Sequence, residues 1–566
     1  MVKGYMKYGT WKIAGFDRTA AASLFRNGIN PLVAVLLASR GITDTERAYK
    51  FIENDTSVVC DPYLMDDMDK AAARIKRAME SGEHIAVYGD YDVDGITSAC
   101  LLASFFRDKG CNCEIYIPER MEEGYGVKTG AIDTLRAMGV TLIITVDCGI
   151  TAIDEVKYAA SVGVDMIITD HHECGEALPD AVAVVDPKRK GGSYPYSSLA
   201  GVGVAFKLIC AVDGDGYESL LEKYGDLVAV GTIADVVPVT GENRLFIRRG
   251  LEMIKSKGRL GLKTLCEAAG IDRRQITAGN IGFSLAPRIN AAGRLGFTDC
   301  ARRLFMTEDE REAAELAERL CDLNRERQAL EGEFFAQALE MLEKTPPRGL
   351  PIVLASGDWH QGITGIVASR LTERYGLPAI VICIKDGVGK GSCRSFGGFN
   401  MYEALEYSRD CILGFGGHEM AAGITIKEDC VDELRERLGR YYNEVAKMPP
   451  VPELKVDFEV TKPELLAIEN VRALSLLEPF GTDNQSPVLC FKSAEVVSVL
   501  PICAGKHTKL WASLGGDVFE CVFFSKTAEE LGFTDGDRVD IAFTPQINEF
   551  RGRCSVQLNL IDAARA

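Results

Sequence analysis

No stretch of this 566-residue chain reaches the roughly 18–20 consecutive apolar residues that a bilayer-spanning helix needs. The opening MVKGYMKYGTWKIAG lacks an apolar h-region, so no secretory signal is expected. There is no CxxC pair among the 18 cysteines, which stand largely in apolar runs such as LICAV and IVICIK. That pattern opposes both disulfides and structural zinc, and thiols placed so behave as small hydrophobes in a reducing cytoplasm. Internal repeats and low-complexity tails are absent. Positive charge is in deficit, with 64 Lys and Arg against 82 Asp and Glu, a net −18. Alone, that opposes non-specific attraction to nucleic acid. The deficit is uneven, however, because residues 242–294 carry eleven basic side chains against four acidic ones. A cytoplasmic globular protein of about three or four domains is expected.

Residues 1–64 read as a helical segment, with apolar residues at helical spacing in NPLVAVLLASRGI and a stop at Gly41. A first α/β domain is expected over 65–300. It opens with an amphipathic helix over 65–82 and carries three buried strands in HIAVYGDYDVDG, TLIITVDCGI and VDMIITDHH, separated by helices. A long helix occupies 301–347, with Thr307 and Glu310 as a capping box and Ala313, Leu316, Leu320, Leu323, Leu330, Phe334 and Met341 on one stripe. It is long enough to join two domains. A second α/β domain follows over 348–447, then a proline-rich hinge in MPPVPEL and short strands of a small barrel over 448–566.

The three strands of the first domain all end in ionisable groups: Asp90, Asp92 and Asp94, then Asp147, then Asp170, His171 and His172. The carboxyl ends of parallel strands open on one crevice, so these groups would crowd together. So many anions need cations to neutralise them, and aspartate with imidazole but without thiolate suits Mn²⁺ or Mg²⁺. A lone DxDxD reads as a turn, but coincidence at three strand ends reads as a two-metal site. Calcium does not fit, because the EF-hand glycine and terminal glutamate are missing. Asp235, inside the apolar VAVGTIADVVPV, reads either as a further ligand or as a helix cap. No serine is a convincing covalent nucleophile, Ser356 and Ser392 included. Two divalent ions would instead activate a bound water.

These residues resemble the DHH phosphoesterase superfamily and, within it, the bacterial RecJ family. The resemblance runs through GDYDVDG, TVDCGI, TDHH, LAGVGVAFKL, GTIADVVP, LAPRINAAGRL, WHQGITGIVASR, GSCRS, FGGHEMAAG, LEPFGTDNQSP and GKHTKL, nearly the whole chain. It implies two α/β domains, DHH and DHHA1, joined by a long helix and clasping single-stranded DNA, plus a C-terminal OB-fold β-barrel. The implied activity is exonucleolytic cleavage of single-stranded DNA from the 5′ end to 5′-mononucleotides, in DNA recombination and repair. Asp92, Asp94, Asp147, His171 and Asp235 would hold two Mn²⁺ or Mg²⁺ ions, with Asp147 bridging. His172 would face the scissile phosphate, and Asp170 would orient the histidines. Related pyrophosphatases have a metal-binding His where this chain has Tyr88, which makes Asp90 the substitute ligand or an outer partner.

The resemblance also assigns Arg120, Ser392 and Arg394 to a 5′-phosphate pocket, where an arginine fork suits phosphate. By residues alone GSCRS reads as a turn with an exposed Arg. Arg288, His418, Gly416 and Gly417 would meet the next phosphate. Tyr125 would stack on a terminal base or serve packing. The basic region 242–294 and the OB-fold would line the strand path. Single-strand-binding protein and a RecQ-type helicase are implied partners, and a C-terminal interaction domain of some relatives is expected to be missing. Asp483 departs from the family's usual Gly. The alternative function is a DHH phosphodiesterase of short oligonucleotides or cyclic dinucleotides. A catalytically dead scaffold would show eroded ligands.

Overall fold

A computed structural model describes residues 8–53, 55–120, 123–214, 216–446, 453–550 and 552–566. The chain divides into two compact units, Val58–Pro450, and Met1–Ser57 with Val451–Ala566. Residues 447–452, most of the proline-rich hinge, lie outside the described residues. All 18 cysteines are free. Among the described residues no helix is long and apolar enough to cross a membrane.

The larger unit opens with a five-stranded, all-parallel sheet. Its spatial order is Cys113–Tyr116, Ile85–Tyr88, Leu142–Val146, Asp165–Thr169, Ala183–Val185. The central runs are apolar without alternation because both faces are covered. Ile85, Val87, Leu142 and Ile144 enter one core, while Ala86, Tyr88, Ile143 and Ile168 enter another on the opposite face. The two outer strands were not legible in the sequence. One is only half-buried and the other has three residues, too little pattern to read.

Helix Glu310–Lys344 runs for 35 residues, about 52 Å at 1.5 Å per residue. Ala313, Leu316, Leu320 and Leu323 pack into the first core, whereas Phe334, Phe335, Ala338 and Leu342 pack into the next. Its cap is Asp309, whose side chain accepts the Glu312 N–H, and not the Thr307–Glu310 box. Thr307 instead accepts the Asp309 N–H and binds the Glu312 carboxylate. The second core belongs to a mixed sheet ordered Gly414–Gly417, Ala421–Lys427, Val388–Arg394, Ala379–Lys385, Ile352–Ser356. Only its last pair is parallel. GSCRS is therefore a strand end, not a turn.

In the smaller unit, strands Leu489–Ile502, His507–Leu514, Asp517–Phe523, Arg553–Arg565 and Arg538–Phe550 pair in that order, and the last returns to the first. This closed five-stranded barrel is an OB-type architecture. The N-terminal segment does not stand alone. Thr10–Ile13 pairs in parallel with Glu453–Val456, and Leu24, Leu32, Val33, Leu36 and Leu37 share one core with Leu489, Phe491 and Phe543. Asp483 has φ 58°, a left-handed conformation that favours Gly and that Asp tolerates better than most residues. The substitution keeps the turn.

Candidate metal centre and anion pocket

Asp92 caps helix Val93–Asp108 by accepting the Gly95 N–H at 3.0 Å. Asp94, one residue into that helix, faces inward and is 1% exposed. The start of helix Gly201–Asp213 meets it: Gly201 N–H donates to Asp94 Oδ2 at 2.6 Å and Val202 N–H to Oδ1 at 2.9 Å. Helix N-termini suit carboxylates in this way. A side chain at Gly201 would meet Asp147 Cβ at 2.7 Å, and one at Gly231 would meet Thr97 Oγ1 at 2.3 Å and Asp94 Oδ1 at 2.8 Å. These two glycines let helices close onto the carboxylates.

Asp147, just beyond its strand, has φ 59°, a strained conformation of the kind that clusters at functional sites. His171 Nε2 lies 3.0 Å from Asp147 Oδ1 and 3.9 Å from Asp94 Oδ2, and its Nδ1 lies 3.6 Å from Asp235 Oδ2. Asp90, Asp92 and Asp147 bring ligand atoms within 4.8 Å of one another, as do Asp94, His171 and Asp235, and Asp147, His171 and His172. Burial first, then neighbouring negative charge, pushes Asp90, Asp147 and Asp235 well above the usual carboxylate range and Asp94 to about 7. Burial, then the charge of His172, holds His171 down to about 3, in the neutral form that ligates metals. Asp90 Oδ1, His171 Nδ1 and Asp235 Oδ2 are buried without a hydrogen-bond partner. Orphaned acceptors aimed at one volume fit divalent cations. Tyr88 is no ligand here: its hydroxyl donates to Gly126 O at 3.1 Å and its ring stacks on Tyr116.

Asp170 organises both histidines. It accepts the backbone N–H of His171 at 2.8 Å, that of Ile150 at 2.9 Å, and pairs with His172 Nδ1 at 2.7 Å. Burial opposes its charge, but the His172 contact overcomes this and holds it below its ordinary value. The same contact raises His172 against its own burial. The Tyr125 hydroxyl stands 3.3 Å from His172 Nδ1, which places this residue at the centre itself.

Beside the Asp90 end lies a cluster of arginines. Arg120 covers the Tyr91 ring at 4.9 Å. Arg294, held down to about 10 by burial and then by Arg120, Arg327 and Arg394, donates to Gly362 O at 2.9 Å. Ser392 Oγ is 3.0 Å from Thr364 Oγ1, at the start of helix Thr364–Tyr375. A Cβ on Gly365 would meet Arg394 Nη2 at 3.0 Å. Gly416 pairs with Gly423, which pairs with Ser392, so the glycines share this sheet, and the His418 N–H donates to Ala421 O. Arg288 donates to Ser284 O, one turn back, at 2.6 Å. Much of the basic stretch is used internally, as in the Arg259–Asp226 pair and the Arg273 bond to Ile254 O.

Thr364, Gly365, Arg294, Gly201 and Val202 were missed as site residues. They lie inside motifs, but no local pattern marks a backbone N–H or a missing Cβ as functional.

Family models match in chain order: the DHH family N-terminal domain at residues 84–232, the DHHA1 domain at 349–444 and the RecJ OB domain at 456–562. The single-stranded-DNA-specific exonuclease RecJ of Bacillus subtilis (strain 168) is 41% identical over 98% of this chain and 70% of its own length. The crystal structure of RecJ in complex with Mn²⁺ from Thermus thermophilus superposes with a TM-score of 0.84 at 30% identity, covering 98% of this chain and 80% of that one. The Mg²⁺ complex of RecJ from the same organism superposes with a TM-score of 0.77 at 28% identity, over 98% and 78%. The catalytic fold, the barrel and the near-complete alignment agree: this chain belongs to the RecJ family of metal-dependent, single-stranded-DNA-specific exonucleases.

Proposed function

We propose that the protein hydrolyses single-stranded DNA from its 5′ end and releases 5′-mononucleotides. The observation that supports this reading is the arginine pocket of Arg120, Arg394 and Arg294 beside the Asp90 end of the carboxylate cluster. A terminal phosphate dianion seated there by arginine forks, Ser392, Thr364 and a helix N-terminus puts the next phosphodiester along the strand at the carboxylates.

Asp90, Asp92, Asp94, Asp147, His171 and Asp235 would hold two Mn²⁺ or Mg²⁺ ions, with Asp147 shared. Bound there, such ions supply a deprotonated water and charge stabilisation for the leaving oxygen. The chain's own groups do the rest. Asp170 fixes the His172 ring and favours its cationic form, in which His172 would donate to a phosphate oxygen and oppose its charge. The Gly201 and Val202 N–H groups hold Asp94 in place, and Tyr125 steadies His172. Arg288, Gly416, Gly417 and His418 are proposed to meet the phosphate next along from the terminal one. A cytoplasmic location, with single-strand-binding protein and a RecQ-type helicase delivering substrate for recombination and repair, completes the reading. No observation favours the short-oligonucleotide or cyclic-dinucleotide alternative.

The pocket is tested with 5′-phosphorylated and 5′-hydroxyl 30-mers. In the Ser392→Ala, Arg394→Ala double variant, the preference for the phosphorylated end should fall by about tenfold or more, at a lost charged hydrogen bond's roughly 1.5–3 kcal/mol. An unchanged preference removes the pocket assignment.

A further inference from the structure

The sequence LAPRIN sets up a local distortion. Pro287 has no N–H, and its ring collides with the carbonyl four residues back, which is that of Phe283. The helix answers by widening: Ile281–Leu285 forms a π turn, with the Ala286 N–H reaching Ile281 O, before regular helix resumes over Ala286–Leu295. Such π turns recur at functional sites. Ile281 and Leu285 point into the core, while Phe283 points out and is 88% exposed.

Its position gives this exposure meaning. A Cβ on the neighbouring Gly282 would meet Ile233 Cγ2 at 3.6 Å, so the π turn lies against the end of helix Tyr217–Ala234, which delivers Asp235. Val236, next in the chain, is left-handed at φ 62° and 69% exposed. Arg288, anchored to the Ser284 carbonyl, adds a fixed cation beside the same turn. Asp235 belongs with Asp94 and His171, the ligand group other than that of Asp90, beside which Arg120 and the anion pocket lie. An exposed ring and a cation thus belong to a turn packed against the end of the helix that delivers Asp235, and the exposed Val236 follows that carboxylate in the chain.

We propose that Phe283 is a stacking platform for an unpaired base of the retained strand, on the 3′ side of the scissile phosphate. This rests on the 5′-directed reading above. The turn that carries it packs against the helix that ends at Asp235, and its chemistry, an aromatic face with a nearby arginine, is that of sequence-tolerant single-strand binding. Only an unpaired base presents its face to such a ring, so Phe283 also favours single strands over duplex.

The test uses the full chain and 5′-phosphorylated 20-mers carrying one abasic residue at the second, third or fourth position. Binding is read by anisotropy in EDTA and cleavage in Mn²⁺. Phe283→Ala should weaken single-strand binding about tenfold, within the range for one stacked base, with the cleavage loss falling on KM. Phe283→Trp should restore it. One abasic position should weaken the wild type and have no further effect on Phe283→Ala. Unchanged binding, or losses that simply add at every abasic position, would overturn the proposal while leaving 5′ polarity intact. Release from the 3′ end with Phe283 still required would overturn the polarity and not the stacking.

Discussion

Asp90, Asp94, Asp147 and Asp235 carry like charge into a buried volume, and each is easier to protonate than a free aspartate. Without metal, these groups keep protons in the folded state at pH values where the unfolded chain has already lost them. Folding is therefore favoured at low pH and loses that advantage as pH rises from about 3.8 through the raised values, about 7 for Asp94. Asp170, shifted the other way, contributes stability that is lost only as pH falls below the ordinary carboxylate range. In EDTA the melting temperature should drop by several degrees between pH 5 and pH 8, at about 2 °C per kcal/mol for a unit this large. Asp235→Asn should shrink the drop, and saturating Mn²⁺ should reverse it, since the metal binds the deprotonated form. Equal slopes for wild type and variant would contradict the picture. At this scale Asp90, Asp92, Asp94, Asp147, Asp170 and the two histidines were legible as a group, because they follow strands whose apolar runs are plain, whereas Asp235 ends a helix and its residues alone left it between ligand and cap. The Gly201 and Val202 N–H groups were not, since their partner Asp94 lies more than a hundred residues earlier and only the fold joins them.

Helices are placed here by what their glycines omit. Gly231 lets helix Tyr217–Ala234 lie against Thr97 and Asp94, and that helix ends by presenting Asp235. Gly231→Ala would force the helix outward, and displacements of about 1 Å at a reacting centre can lower rates about 100-fold. We expect the single-turnover rate in Mn²⁺ to fall by more than about tenfold, with single-strand binding in EDTA within about twofold of wild type. A normal rate would show that the helix position is not critical. Apolar periodicity revealed the long helix, but the Thr307–Glu310 pattern misplaced its cap, because Thr307 and Asp309 both suit the role and only the side-chain geometry chooses. GSCRS was read as a turn because its small and polar residues carry no strand pattern. Its strand character comes from pairing with Ala379–Lys385 and Ala421–Lys427.

Across the whole molecule, sequence pattern was enough for two α/β domains, a joining helix and a barrel, since each rests on repeated apolar runs. The alliance of residues 10–13 with 453–456 was not legible, because no local signal links segments over four hundred residues apart. A 5′-phosphate pocket beside a two-metal cluster would make a directional single-strand nuclease. This is tested most directly by digesting matched 30-mers, single-stranded or duplex and labelled at the 5′ or 3′ end, with Mn²⁺ or EDTA, beside Asp147→Ala. Labelled mononucleotide should be released at once from the 5′ end of the single strand, and only with Mn²⁺. Asp147→Ala should lose more than the about 100-fold that removing a ligand's outer partner can cost. Release from the 3′ end, equal attack on duplex, or an active Asp147→Ala would contradict it.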